Sequence, residues 1–153
     1  MKHKALKKLI VFMAVLFFGG CVPNNYPVPH GTWETSDPWA ILDIGRRPNP
    51  PNPITGRHWS GVYRLGDDIR PVIVSFHTVR GQMSVYYADK AGAHSQWEGT
   101  RIFWGTYQLE GDTLYFYIFP AYVERHGYET IIFHRIPDDE IDWEAMRDQL
   151  NFQ

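Results

Sequence analysis

Cysteine and lysine are the residues this chain has least of. Cys21 is the only cysteine, so no disulfide within the chain can form and its stability must come from packing. Beyond residue 8 the only lysine is Lys90, and the chain has 15 Lys+Arg against 17 Asp+Glu, a net charge of −2. Without the four lysines of the first eight residues, 11 basic groups face 17 acidic ones, a net charge of −6. Such a domain has no basic footprint for nucleic acid and no electrostatic attraction to anionic lipid.

Long hydrophobic runs are also scarce, and the one that exists lies at the N-terminus. Lysines 2, 4, 7 and 8 precede an apolar run over residues 9–18, and Gly19, Gly20 and Cys21 follow it. The run is about half the roughly 20 residues that a membrane-spanning helix needs. A charged start, an apolar centre and small residues at the end are typical of a secretory signal peptide. We therefore predict a signal peptide over residues 1–20.

The small pair directly before a lone cysteine resembles the lipobox of bacterial lipoproteins. That resemblance implies cleavage before Cys21, diacylglycerol on its thiol and an acyl chain such as palmitate on the new amine. Phe18 departs from the pattern, which usually has leucine there. Two acyl chains hold a protein stably on a membrane. The resemblance thus implies a lipid anchor on the extracytoplasmic face of a bacterial cell membrane, and the alternative is an ordinary cleaved signal whose cysteine is incidental.

Three prolines follow the cysteine within the next nine residues, Pro23, Pro27 and Pro29. They predict an extended tether over residues 21–30 without hydrogen-bonded structure. The remaining chain is long enough for one domain, which we place at residues 31–136, followed by a C-terminal helix within 137–153.

The middle of the chain has the two-residue period of half-buried strands. Leu114, Phe116 and Ile118 alternate with Tyr115 and Tyr117 after the turn at residues 110–112. Similar patterns separated by turn residues predict about seven to eight strands in total, at residues 31–36, 39–44, 61–65, 72–77, 82–87, 101–109, 113–119 and 130–136. Short strands with short links favour an all-β antiparallel meander closed into a barrel, because an open aromatic sheet would expose unpaired edges.

Two segments break the strand pattern. Residues 46–53 contain four prolines after an arginine pair, which predicts an exposed polyproline-like loop, either a stiff connector or a docking motif for an aromatic groove. Near the C-terminus, Ile141, Ala145, Met146 and Leu150 recur at helical spacing behind three acidic residues. This spacing predicts a helix of about three turns over residues 138–150.

Three stretches resemble bacterial lipocalin-like lipoproteins: GTWETSDP at residues 31–38, WGTYQLEGDTL at 104–114 and IIFHRI at 131–136. The resemblance implies a lipocalin-like barrel in which Gly31 and Trp33 pack at the closed end under Arg135. The implied role of these three residues is structural barrel closure. The proline-rich loop and the C-terminal helix look like additions to that pattern.

The sequence offers little catalytic chemistry. It contains no Gly-x-Ser-x-Gly elbow, phosphate loop or dinucleotide fingerprint, although a Ser-His-Asp triad cannot be judged from spacing. The six histidines after residue 21 lack zinc-motif spacing, and the acidic clusters at 67–68 and 138–140 lack EF-hand spacing; these histidines are His30, His58, His77, His94, His126 and His134. His77 and His134 could still meet across strands. We predict a non-enzymatic protein with no catalytic residues, metal or cofactor.

Aromatic residues make up 16% of the chain, with 6 Trp, 9 Tyr and 9 Phe. Most must fill a core, but Trp39, Trp97 and Tyr122 lie near predicted loops, where exposed rings could serve a ligand. We predict a binding module for a small apolar or amphiphilic ligand or for an envelope partner. The alternative is a structural or envelope-interaction protein with a filled barrel and no ligand, and the sequence identifies no ligand-binding residue.

Overall fold

A computed structural model describes residues 25–46, 51, 58–88 and 101–150 of the chain. Eight strands form one closed barrel in sequence order, each antiparallel to the next, with the last paired to the first. They are β1 (Gly31–Ser36), β2 (Trp39–Ile44), β3 (Trp59–Leu65), β4 (Asp68–His77), β5 (Gln82–Tyr87), β6 (Arg101–Glu110), β7 (Thr113–Ile118) and β8 (Thr130–Ile136). The predicted all-β meander barrel is confirmed.

The two-residue period sorts side chains between the barrel interior and its outer face. On β7, Leu114, Phe116 and Ile118 are buried in the core, whereas Tyr117 is exposed on the outside. On β4, Val72 and Val74 are buried in the same core. Burial of these side chains drives closure, since each buried aliphatic or aromatic side chain contributes about 1.5–3 kcal/mol.

The strand directions give the barrel two different ends. We call the end where β1 begins the closed end; it carries the β4–β5 turn at residues 78–81, the β6–β7 turn at 111–112 and the chain leaving β8. The opposite end carries helix α1 (Pro120–His126), between β7 and β8. Sequence reasoning missed α1, although proline at its first turn and Gly127 after its last residue are typical helix boundaries.

The C-terminal helix exists but is shorter than predicted. A 3₁₀ turn covers Asp138–Glu140, and helix α2 spans Trp143–Gln149. Ile141 between them is extended and packs on the barrel, and the Asp142 carboxylate caps α2 by accepting a hydrogen bond from the Ala145 amide at 2.9 Å. The predicted helix start at residue 138 is therefore wrong, because capping and burial favour a new start at Asp142.

Helix α2 adds a second, smaller core on the outside of the barrel. Its neighbours there are side chains of β2 and β3 that point away from the interior: Ile41 and Val62 are buried together with Leu150. The Thr32 hydroxyl also donates to the Asp138 carboxylate at 2.7 Å, which fixes the start of the C-terminal segment against β1. The C-terminal segment is thus part of the domain.

Two glycines permit close approach of neighbouring strands. A Cβ at Gly61 would collide with the Ile41 carbonyl oxygen, and one at Gly105 would collide with the carbonyl of Tyr117. Glycine within a strand often marks such a close approach of backbones. Glycine at these two positions therefore lets β2 approach β3, and β7 approach β6, without a clash.

We expect Gly105→Ala to lower the free energy of unfolding by about 3 kcal/mol, since the obstacle is backbone and has little room to move. Urea unfolding followed by tryptophan fluorescence measures this loss. Thr106→Ala on the same strand is the control and should cost less than about 1 kcal/mol. Equal losses in the two variants would show that Gly105 is not needed for close approach.

Candidate functional site

The three residues for which the sequence resemblance implied a barrel-closing role meet at the closed end. Trp33 is 0% exposed, and the Arg135 guanidinium carbon lies 4.3 Å from its ring centroid. Trp33 and Arg135 are register partners across the β1–β8 pair, so this contact lies at the junction of the first and last strands. Gly31 has a φ of 124°, and a Cβ there would collide with the Arg135 guanidinium. A side chain at residue 31 would therefore displace the arginine from the tryptophan.

Arg135 also binds two further groups at this end. Its Nε donates to the Asp112 carboxylate at 2.9 Å, and its Nη1 donates to the His30 carbonyl at 2.6 Å. Asp112 is largely exposed, so solvent screens that ion pair and it contributes little. The indole contact and the bond to His30 are thus the main local contributions of this side chain.

Residues 25–30 are not the free tether that the sequence predicted. The Tyr26 amide donates to the Thr78 carbonyl at 2.9 Å, and the Tyr107 hydroxyl donates to the Pro27 carbonyl at 3.1 Å. The Trp33 indole donates to the Pro29 carbonyl at 2.7 Å. Proline lacks an N–H but keeps its carbonyl, so a proline-rich segment can still be held by donors from the barrel. Pro29 is buried and Val28 packs on the core, so this segment closes the end of the barrel.

Among the described residues, bulky side chains take up most of the barrel interior. The cavity lined by Ala40, Leu42, Tyr63, Phe103 and their neighbours has a volume of about 10 Å³. That is about the smallest space able to hold one water, and far below the roughly 300–1,000 Å³ of a drug-sized ligand site. Burial raises the pKa values of Tyr63 and Tyr107, each to about 12, so both phenols stay neutral at physiological pH.

Aromatic residues crowd the opposite end of the barrel. The Phe103 ring lies 5.0 Å from His126 on α1 and 6.3 Å from Tyr128, centroid to centroid. The Tyr128 hydroxyl donates to the Asp37 carboxylate at 2.8 Å, which connects the β1–β2 turn to the segment after α1. Burial and the nearby Arg125 lower the pKa of His126, which favours the neutral imidazole. These contacts place α1 and Tyr128 over this part of the core.

The outer face carries a much larger concavity, which we call the outer groove. It has a volume of about 600 Å³ and lies on β1, β7 and β8. Its lining comprises Glu34, Thr35, Ser36, Asp37, Thr113, Tyr115, Thr130, Ile132 and His134. Tyr115 stacks with Tyr117 at a centroid distance of 6.3 Å and an interplanar angle of 9°. The groove therefore combines hydroxyl, carboxylate and imidazole groups with a flat aromatic platform.

The other candidate residues from the sequence are scattered. His77 on β4 and His134 on β8 lie on strands that are not neighbours, so the expected meeting across strands is wrong. Within the described residues, no three His, Cys, Asp or Glu side chains are grouped as a metal site would require. Cys21, His94 and Trp97 lie outside the described residues, as does most of the proline-rich loop, of which Pro51 is exposed.

Two aromatic candidates prove to be packing residues. Trp39 belongs to the outer core beside α2 and lies under Arg64, whose guanidinium carbon is 4.7 Å from its ring centroid. Tyr122 on α1 packs against the main core and lies 6.5 Å from Trp104, centroid to centroid. Neither ring is free at the barrel end. Sequence reasoning missed the outer groove because the side chains of β1 that line it are about 80 residues or more from those of β7 and β8. The alternation of outward-facing tyrosines on β7 indicated only its aromatic part.

Comparison with known proteins adds no relative to these observations. No family model, curated protein or solved structure matches the chain. Functional inference therefore rests on the chain's own sequence and geometry.

We expect Arg135→Met to lower the free energy of unfolding by about 2 kcal/mol, because it removes the cation–π contact and the bond to His30. Arg64→Met is the matched control, since it removes a cation–π contact on the solvent side and should cost less than about 1 kcal/mol. Urea unfolding measures both values. Similar losses would mean that Arg135 has no special part in closing the barrel.

Proposed function

We propose that this protein is a lipid-anchored binding module on the extracytoplasmic face of a bacterial cell envelope, without enzymatic activity. The N-terminal pattern of charge, apolar run, small pair and Cys21 supports the anchor. In the part of the chain that the structure describes, no helix has the length and apolar character to cross a membrane. In this proposal a lipid on Cys21 supplies the membrane attachment.

The observation that decides how the module binds is the contrast between the interior and the outer face. Among the described residues, the interior cavity of about 10 Å³ is too small for an apolar ligand, whereas the outer groove offers about 600 Å³. This contrast favours the filled-barrel alternative over an internal ligand. It also favours an envelope partner held on the outside of the barrel.

The chemistry of the outer groove suits a partner rich in hydroxyl and amide groups. Threonine and serine hydroxyls can donate or accept, and the Glu34 carboxylate can accept from ligand hydroxyls. The stacked rings of Tyr115 and Tyr117 give a flat surface on which the apolar face of a sugar can rest. The acidic domain disfavours polyanionic partners, because like charges repel. A neutral or amino-sugar glycan chain of the envelope fits these properties best.

The anchor is tested by metabolic labelling with radioactive palmitate. We expect label in the wild-type chain and none in Cys21→Ala, since the thiol is the attachment point. Mass spectrometry of the labelled chain should place its new N-terminus at Cys21. Equal labelling of the two proteins would contradict the lipoprotein assignment.

Glycan binding is tested by co-sedimentation with purified, insoluble cell-wall glycan. We expect Tyr115→Thr to bind about fivefold more weakly, which corresponds to losing one ring contact of about 1 kcal/mol. Leu65→Thr is the control, because Leu65 is exposed at the end of β3, outside the groove. This variant should bind as the wild type does. Wild-type protein that stays in the supernatant would contradict the proposal.

A titration with an apolar fluorescent dye tests whether the barrel binds a small apolar ligand in its interior. We expect no saturable signal, because the described interior is filled. A saturable signal that a fatty acid displaces would instead support a carrier function.

A further inference from the structure

The chain enters the fold beside the β4–β5 turn. The Tyr26 amide is bonded to the Thr78 carbonyl, and the Tyr26 ring lies against Gly81, where an added Cβ would be 2.8 Å from it. The Tyr107 hydroxyl also donates to the Tyr26 carbonyl at 3.3 Å. These contacts fix Tyr26 on the turn at the closed end.

Cys21 precedes Tyr26 by five residues. Five residues of fully extended chain span at most about 18 Å. If Cys21 carries lipid, the β4–β5 turn is confined to about that distance from the bilayer. The other end of the barrel lies farther from the anchor, since the ten residues of β4, tilted as in other barrels, separate the two ends by roughly 25 Å on that side.

The side chains on this turn are those that a lipid surface accepts. Val79 is 59% exposed and Tyr26 is 40% exposed, and Arg80 beside them is exposed too. An exposed valine at a turn tip loses contact with water by entering the bilayer interface. Tyrosine is enriched at membrane–water interfaces, and arginine can keep its charge among the headgroups while its stem is buried.

The remaining charges at the closed end do not favour an electrostatic attachment. Arg46 and Arg80 are exposed there, but Asp112, Asp138, Asp139 and Glu140 are exposed at the same end. Arg135 is already paired with Asp112. Acidic groups thus outnumber the free arginines among the described residues, so contact with the bilayer must come from apolar insertion.

We propose that the closed end docks on the bilayer that holds Cys21, with Val79 inserted and with Tyr26 and Arg80 at headgroup level. This inference rests on the lipid anchor proposed above. Docking keeps the barrel axis close to the membrane normal, with α1 directed away from the membrane. The outer groove then runs from the membrane side outward, along β1, β7 and β8.

The test places an environment-sensitive fluorophore on Val79→Cys or on Leu65→Cys in the full chain. Leu65 is the matched control, because it is 41% exposed at the end of β3, beside the β3–β4 turn at the far end of the barrel. A lipidated Cys21 has no thiol to react, so each variant carries a single label. The labelled lipoprotein is reconstituted into neutral phosphatidylcholine vesicles that contain a spin-labelled quencher lipid. We expect at least threefold stronger quenching at position 79 than at position 65, with little change in 0.5 M salt.

The outcomes separate the anchor from the docking. Acyl groups found by mass spectrometry together with equal quenching at both positions would overturn docking and leave the anchor standing. A protein without acyl groups would overturn the anchor and the docking with it. Hydrogen exchange on the unsubstituted lipoprotein gives a readout without labels. Docking predicts that the amides of residues 78–81 exchange more slowly in the lipoprotein on vesicles than in the Cys21→Ala protein. Equal exchange in the two proteins would contradict docking.

Discussion

The contact between Arg135 and Trp33 is the interaction on which the barrel depends. It joins the first strand to the last, and an eight-strand meander has unpaired edges until those two strands pair. The same guanidinium binds the His30 carbonyl, and the buried indole binds that of Pro29. One pair of side chains therefore seals the strand junction and holds the entering chain across the closed end.

A barrel whose described interior has little free space changes where binding can occur. Eight-stranded barrels can be large enough to enclose one small ligand, but here bulky side chains take up the described interior. Helix α2 packs over β2 and β3, and the groove with its hydroxyls and Tyr115 lies on β1, β7 and β8. Among the described residues, the C-terminal helix and the groove thus occupy different parts of the outer face.

Strand positions and the closure residues follow from local pattern and resemblance. The two-residue period at Leu114, Phe116 and Ile118 indicates which face of β7 is buried. The resemblance carried by residues 31–33 and 134–136 implied that Trp33 and Arg135 meet, and the two side chains are in contact. Residues 25–30 could not be predicted in this way, because their partners Thr78 and Tyr107 are distant in sequence. The prolines of this segment predict an extended backbone, but they do not show which hydrogen-bond donors will reach the carbonyl groups of the segment. The predicted closed meander makes β7, β8 and β1 neighbours, but the outer groove was missed because no local pattern gives their register or the shape of the surface between them.

The ordered entry segment also changes what the cysteine means for the domain. A free ten-residue tether would let the barrel rotate above the membrane, whereas the segment bonded from Tyr26 to Pro29 begins only five residues after Cys21. If Cys21 carries the proposed lipid, attachment at that point favours the closed end as the membrane side. The contact that Arg135 makes would then link stability to orientation, because losing it would free both the strand junction and the segment nearest to the proposed anchor.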